Sequence, residues 1–231
     1  MEAAAPAREL LIRAAADLHG ELPAVQPCDL LLLVGDLVPY ELERDHDRSR
    51  EWLTTTFADW TKQIPATQII GVAGNHDLWA TAVPEGVHPD LYGARWTYLR
   101  DAEINAQGLR VYGSPWTPDV YKSAFEAPGS RLTQIWNAIP AGLDILAVHC
   151  PPRGHGDLIG AHSGEPRPMG SEELTQAIAR TRPRLVLYGH AHEGYGYRAE
   201  LPSGPQLANV TLRTDYGQGM HSVSEFRLTT S

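Results

Sequence analysis

The 231 residues carry 28 acidic against 19 basic side chains, a net charge of −9, and no Lys/Arg-rich stretch, which argues against a general nucleic-acid or membrane-binding surface. The length is enough to bury a large α/β core, and no Pro/Gly/Ser-rich linker or block of charge divides it, so residues 1–231 read as a single domain. No apolar run approaches transmembrane length and Met1-Glu2 opens without the basic region of a signal peptide, so a cytoplasmic location is expected; Cys28 and Cys150, without zinc-type spacing, read as small buried residues.

In chain order, an apolar run over Glu9 to Ala16 predicts a first strand that ends in Asp17-Leu18-His19. Pro23 and Pro27 mark an irregular connection to a second strand, Leu30 to Val34, which hands over to Gly35-Asp36. Trp52, Leu53, Phe57, Trp60 and Ile64 recur at three- and four-residue steps and predict an amphipathic helix from about Asp45 to Gln63, closed by Pro65. The run Gln68 to Ala73 then leads into Gly74-Asn75-His76-Asp77. Residues 81–89 read as a loop, followed by strands Trp96 to Leu99 and Leu109 to Gly113 with a turn near Gln107-Gly108. Ser114 to Pro118 must be extended or turned, because residues before proline avoid the helical region.

Ser130 is the expected N-cap of a helix with Leu132, Ile135, Trp136 and Ile139 on one face, ended by Pro140 and Gly142. Ile145 to Val148 is a strand that presents His149. Residues 151–170, rich in Gly and Pro, form a long loop of the kind that carries function or mobility. Ser171 caps a helix to about Arg180, and the strand Arg184 to Tyr188 delivers Gly189-His190-Ala191-His192. Beyond Gly196, short β-like segments ending at Ser222 to Thr229 read as a meander on one edge.

Five apolar runs thus end in polar residues of metal-ligand type, at the carboxyl end of strands where open α/β sheets bind ligands. Aspartate and histidine without cysteine suit borderline or hard divalent ions, Mn²⁺ first, with Fe, Zn²⁺ or Mg²⁺ as alternatives. Seven ligands, Asp17, His19, Asp36, Asn75, His149, His190 and His192, are too many for one ion, and Asp36, alone at its strand end, is placed to bridge two. A pair of ions about 3.5–4 Å apart clamps the attacking and leaving oxygens of a phosphoester and brings a shared water to a pKa of roughly 7.

These ordered blocks, Asp17-x-His19, Gly35-Asp36, Gly74-Asn75-His76-Asp77, His149 and Gly189-His190-x-His192, resemble the calcineurin-like metallophosphoesterase superfamily over most of the chain. Tyr112 to Pro118, His149-Cys150-Pro151-Pro152 and His192 to Gly196 are similar to its metallophosphoesterase-domain-containing, brain 239-type subgroup, related to the class III cyclic-nucleotide phosphodiesterases. The resemblance implies a four-layer α/β sandwich, two mixed β-sheets flanked by helices, with a dimetal site at their joint carboxyl edge. It implies one metal on Asp17, His19, Asp36 and His192, and another on Asp36, Asn75, His149 and His190. It also implies a catalytic His76 facing the substrate, with Asp77 orienting its ring. One branch of the subgroup replaces the first histidine of the Gly-His-x-His block by glycine; here it is His190, so a complete site is expected.

The expected function is hydrolysis of a small phosphoester, a nucleotide among the candidates, with diesters favoured. Related protein phosphatases carry an arginine shortly after the Gly-Asp block, whereas residues 35–43 here contain no Arg or Lys. Arg153 or Arg167 of the long loop is the alternative source of that charge, and a phosphomonoesterase or a non-catalytic scaffold is the alternative function. Trp116 and Tyr195 are candidate cleft walls able to stack a base. His46, His88 and His221 read as surface or turn residues, and His155 and His162 as loop residues.

Overall fold

In the computed structural model, which describes residues 7–161, 164–202, 204–214 and 219–230, twelve strands form two mixed six-stranded sheets. The first sheet is built from β1 (Glu9–Ala15), β2 (Cys28–Val34), β3 (Ala66–Val72), β4 (Gly86–Pro89), β5 (Thr97–Arg100) and the last strand of the chain. The second takes β6 (Ala102–Ala106), β7 (Leu109–Ser114), β8 (Ile145–Val148), β9 (Leu185–Tyr188), β10 (Arg198–Glu200) and β11 (Gln206–Asn209); the last strand is β12 (Ser224–Thr229). The spatial orders are β12-β1-β2-β3-β5-β4 and β10-β11-β9-β8-β7-β6. In each sheet the inner strands β1-β2-β3-β5 and β11-β9-β8-β7 run parallel, and antiparallel strands close both edges.

The apolar runs are continuous because both faces of the inner strands are covered. Leu30, Leu32 and Val34 of β2 face the second sheet, while Leu31 and Leu33 face the helical layer. In β9, Leu185 and Leu187 meet the first sheet, and Val186 and Tyr188 meet the opposite helices. Three apolar layers therefore alternate with two sheets and their flanking helices, which is the four-layer sandwich expected. Each fully buried Leu in these layers contributes about 1.5–3 kcal/mol of transfer free energy.

The helix on the first sheet starts at the Asp45 cap, whose side chain accepts from Arg48 N at 3.0 Å. It runs as α1 (His46–Trp52), passes through a π-helical turn (Leu53–Phe57) and continues as α2 (Ala58–Gln63). On the second sheet α3 (Gly129–Asn137) packs beside α4 (Glu172–Thr181), the latter capped by Ser171 as predicted, its Oγ accepting from Leu174 N at 3.3 Å.

Several expectations are corrected. Ser130 is not the cap of α3: the Pro128 carbonyl accepts from Arg131 N and Leu132 N, so Ser130 already lies in the first turn. Strand β6 escaped notice because Ala, Glu, Ile, Asn and Ala make no apolar run; it pairs with β7 through Gln107 and Gly108, both at positive φ, as a two-residue hairpin turn requires. Gly86–Pro89, read as loop, is an edge strand. The tail is not one meander: β10 and β11 join the second sheet, whereas β12 crosses back to pair with β1. Among the described residues, no helix is long and apolar enough to cross a membrane.

Candidate metal centre

The carboxyl ends of β1, β2, β3, β8 and β9 come together at one edge of both sheets, where Ala16 N donates to Val210 O (2.9 Å) and Leu212 N to Ala16 O (2.7 Å). The structure gathers there all seven side chains singled out as ligands. Asp36 Oδ2 lies 3.3 Å from His149 Nε2 and 3.7 Å from His19 Nε2. Asp17 Oδ1 lies 3.5 Å from His192 Nε2. Asn75 Oδ1 lies 3.1 Å from His149 Nε2 and 2.9 Å from His190 Nδ1. Ligand atoms of Asp17, His19 and His192 fall within 4.8 Å of one another, and so do those of Asp17, Asp36 and His149. Asp17 thus belongs to both compact triads, and Asp36 reaches a histidine from either group.

The chain bends sharply to bring these groups together. Asp17, His19, Asp36 and His190 all have positive φ, between 43° and 67°, a region that non-glycine residues seldom occupy and that costs of order 1–3 kcal/mol each. Glycines next to the ligands provide clearance: a Cβ on Gly74 would collide with Asp36 Oδ1, and one on Gly189 with Asp17 Oδ2.

Burial and neighbouring charge together set the protonation states. Burial by itself would raise the carboxyl of Asp17, yet the neighbouring His192 and His149 hold it down at about 2. Asp36 is likewise held low against its burial, mainly by His149 and His76. Burial pushes His19 and His190 down to about 3, so both are neutral imidazoles, while the charge of Asp36 outweighs burial at His149 and raises it to about 9. Two ionised carboxylates with the neutral imidazoles of His19 and His190 form a donor set suited to divalent cations, and a cation bound beside His149 would displace its proton. Both ring nitrogens of His19 are buried with no hydrogen-bond partner among the described residues, as fits a side chain kept for an ion.

His76 stands beside the cluster, with its backbone N donating to Asp36 Oδ1 at 2.8 Å. Its expected partner is corrected. Asp77 is fully buried and turned away: its carboxylate accepts from Gly74 N (2.9 Å), Leu37 N (3.0 Å), Trp79 Nε1 (3.1 Å) and Val38 N (3.2 Å). The group hydrogen-bonded to His76 Nδ1 is Glu43, a residue that no sequence motif singled out. Burial would lower His76, but the charge of Asp36 and the Glu43 carboxylate raise it above the usual histidine value. Glu43 lies in an irregular segment with no strand end before it, so its spacing held no signal.

A cleft of about 410 Å³ opens over Asp36, Asn75, His76, His190 and His192, and its aromatic lining is Tyr40 and Tyr121. Trp116 and Tyr195, the expected walls, lie elsewhere. The Trp116 indole donates to Asp101 Oδ2 at 2.8 Å and packs on Phe125, and Tyr195 stacks on His221 beside a neighbouring cavity of about 610 Å³. Arg153 lines that second cavity and donates to Gly170 O, whereas Arg167 donates to the Tyr121 hydroxyl at 2.9 Å on the cleft rim. Of the loop histidines, His155 Nδ1 lies 2.9 Å from the Tyr197 hydroxyl, and His162 lies outside the described residues. Within the loop, Gly160 N and Ala161 N donate to Glu193, which ties it to the segment carrying His192.

Two mixed sheets sharing one edge of Asp, Asn and His donors define a metallophosphoesterase fold with candidate metal-binding groups. Residues 9–194 match the calcineurin-like phosphoesterase family, and the chain belongs to that metal-dependent family. It is 32% identical over 212 residues to metallophosphoesterase domain-containing protein 1 of Homo sapiens, covering 80% of this chain and 61% of the human protein. It is 45% identical over 210 residues to UPF0046 protein T07D4.2 of Caenorhabditis elegans, covering 77% of this chain and 50% of that protein. The chain therefore spans about half to three fifths of these curated relatives. A solved crystal structure superposes with a TM-score of 0.56 at 16% identity, covering 97% of this chain and all of the other, and shares the fold.

Proposed function

We propose that the protein hydrolyses phosphodiesters at a pair of divalent cations. The observation that carries this reading is the buried donor set: ionised Asp17 and Asp36 beside the neutral imidazoles of His19 and His190, with neither ring nitrogen of His19 hydrogen-bonded among the described residues. Asp17, His19 and His192 with Asp36 would hold one ion, and Asp36, Asn75, His149 and His190 the other. Bound there, divalent ions supply positive charge to a phosphoryl group and acidify water, Mn²⁺ being the first candidate.

The chain's own residues do the rest. His76, whose proton Asp36 and Glu43 help to retain and whose ring Glu43 fixes at Nδ1, presents Nε2 to the leaving oxygen and donates its proton there. Tyr40 and Tyr121 flank the non-reacting part of the ester, an aryl or nucleoside group. No Lys or Arg occurs in residues 35–43, which supports a monoanionic diester over a dianionic monoester.

The test is a substrate panel, comprising cyclic nucleotides, bis-aryl phosphodiesters, aryl monoesters and phosphopeptides, given to metal-stripped protein reloaded with one metal at a time. Aryl diesters should show the highest kcat/KM, and turnover should need added metal. A higher kcat/KM for phosphoserine peptides overturns the diesterase reading, and no hydrolysis of any ester overturns the phosphoesterase reading altogether.

A further inference from the structure

Among the described residues, the partly buried basic side chains of this acidic protein are spoken for, with one exception. Arg13 and Arg184 pair with Glu225 and Asp144, Arg110 pairs with Glu103, and Arg95 and Arg100 donate to backbone carbonyls. Arg213, also half-buried, has neither a hydrogen-bond acceptor nor an ion-pair partner among the described residues. Its guanidinium carbon stands 5.0 Å from the ring centre of Tyr40. The Tyr40 ring stacks on the His19 imidazole, with centroids 3.8 Å apart and planes at 14°, and meets His76 edge-on at 5.1 Å. A cation thus sits one aromatic ring away from the ligand cluster.

Its position is fixed from the backbone side. Two residues earlier, Thr211 Oγ1 donates to Asp17 Oδ2 at 2.7 Å, and Leu212 N donates to Ala16 O at 2.7 Å. Arg213 itself bridges to Met220. The segment that anchors a candidate ligand therefore also brings the guanidinium against Tyr40, a residue that lines the cleft. An arginine stacked on an aromatic face keeps its planar fork of N–H donors available, and that fork matches two oxygens of a phosphate.

We propose that Arg213 is the anion-binding residue of the cleft, taking the non-bridging oxygens of the phosphoryl group, and that it governs how well dianionic monoesters compete with monoanionic diesters. The inference rests on the phosphoesterase reading. A diester offers two non-bridging oxygens sharing one negative charge; a monoester, like orthophosphate, offers more oxygens and a second charge, and gains more from the guanidinium.

The test uses the metal-loaded full chain. Arg213→Ala should lower kcat/KM for an aryl monoester about tenfold or more, chiefly through KM, lower that for the matching aryl diester severalfold less, and weaken competitive inhibition by orthophosphate by a similar factor. Metal content and Tm should stay at wild-type values, and Arg213→Lys should recover part of the loss. Equal losses on both esters would reduce Arg213 to a prop for Tyr40 and overturn the proposal. So would an unchanged phosphate inhibition constant, or a selective monoester loss in Arg167→Ala in place of Arg213→Ala. Binding of orthophosphate by calorimetry reads the same residue when no ester is turned over, so failure of the phosphoesterase reading stays distinguishable from failure of this one.

Discussion

The pairing of Glu43 with His76 gives the single residue most open to test. As a general acid, His76 should contribute mainly to turnover, so His76→Ala is expected to lose roughly 10²–10⁴ in kcat while metal content survives. Loss of the metals in that variant would make His76 a ligand instead. Glu43→Gln keeps the shape of the contact and removes its charge. Because the Glu43 carboxylate helps to raise the His76 pKa, the variant must hold its proton less firmly. The alkaline limb of the pH-rate profile, where the protonated acid is lost, should therefore move to lower pH, with kcat down about tenfold. A limb that stays in place would separate Glu43 from the chemistry. No strand end or motif pointed to this residue, because its contact with His76 spans 33 positions and exists only once the loop after β2 has folded over the loop after β3.

At the scale of elements, the strands and the polar side chains gathered at their ends were legible because parallel strands covered on both faces must be apolar along their whole length. What the pattern hid was the alternating hairpin strand β6, whose small and polar residues bury little, and the job of Asp77. In sequence Asp77 adjoins His76, yet consecutive residues in the turn after β3 point apart. Asp77 ties that turn to the loop after β2 through four N–H donors. Asp77→Ala leaves those donors buried and unpaired, so metal-stripped protein should lose roughly 3 kcal/mol. That corresponds to a fall of about 1 M or more in the urea midpoint. An unchanged midpoint with abolished turnover would instead return Asp77 to the reaction.

At the scale of the whole molecule, the candidate ligands divide between the sheets: Asp17, His19, Asp36 and Asn75 follow strands of the first, and His149, His190 and His192 follow strands of the second. Cations bound among them would cross-link the two halves of the sandwich and offset part of the −9 charge where two carboxylates lie buried. Saturating Mn²⁺ should then raise Tm, since a ligand at a hundred times its dissociation constant stabilises the folded state by about 2.7 kcal/mol. Asp36 reaches His19 on one side and His149 on the other, so Asp36→Asn should weaken both sites together and abolish most of that gain. Elemental analysis of the wild-type chain reloaded with excess Mn²⁺ should give two ions, and one ion or none would refute the paired site. If two ions bind but Asp36→Asn loses only one, the bridging role passes to Asp17, which the geometry also places in both triads.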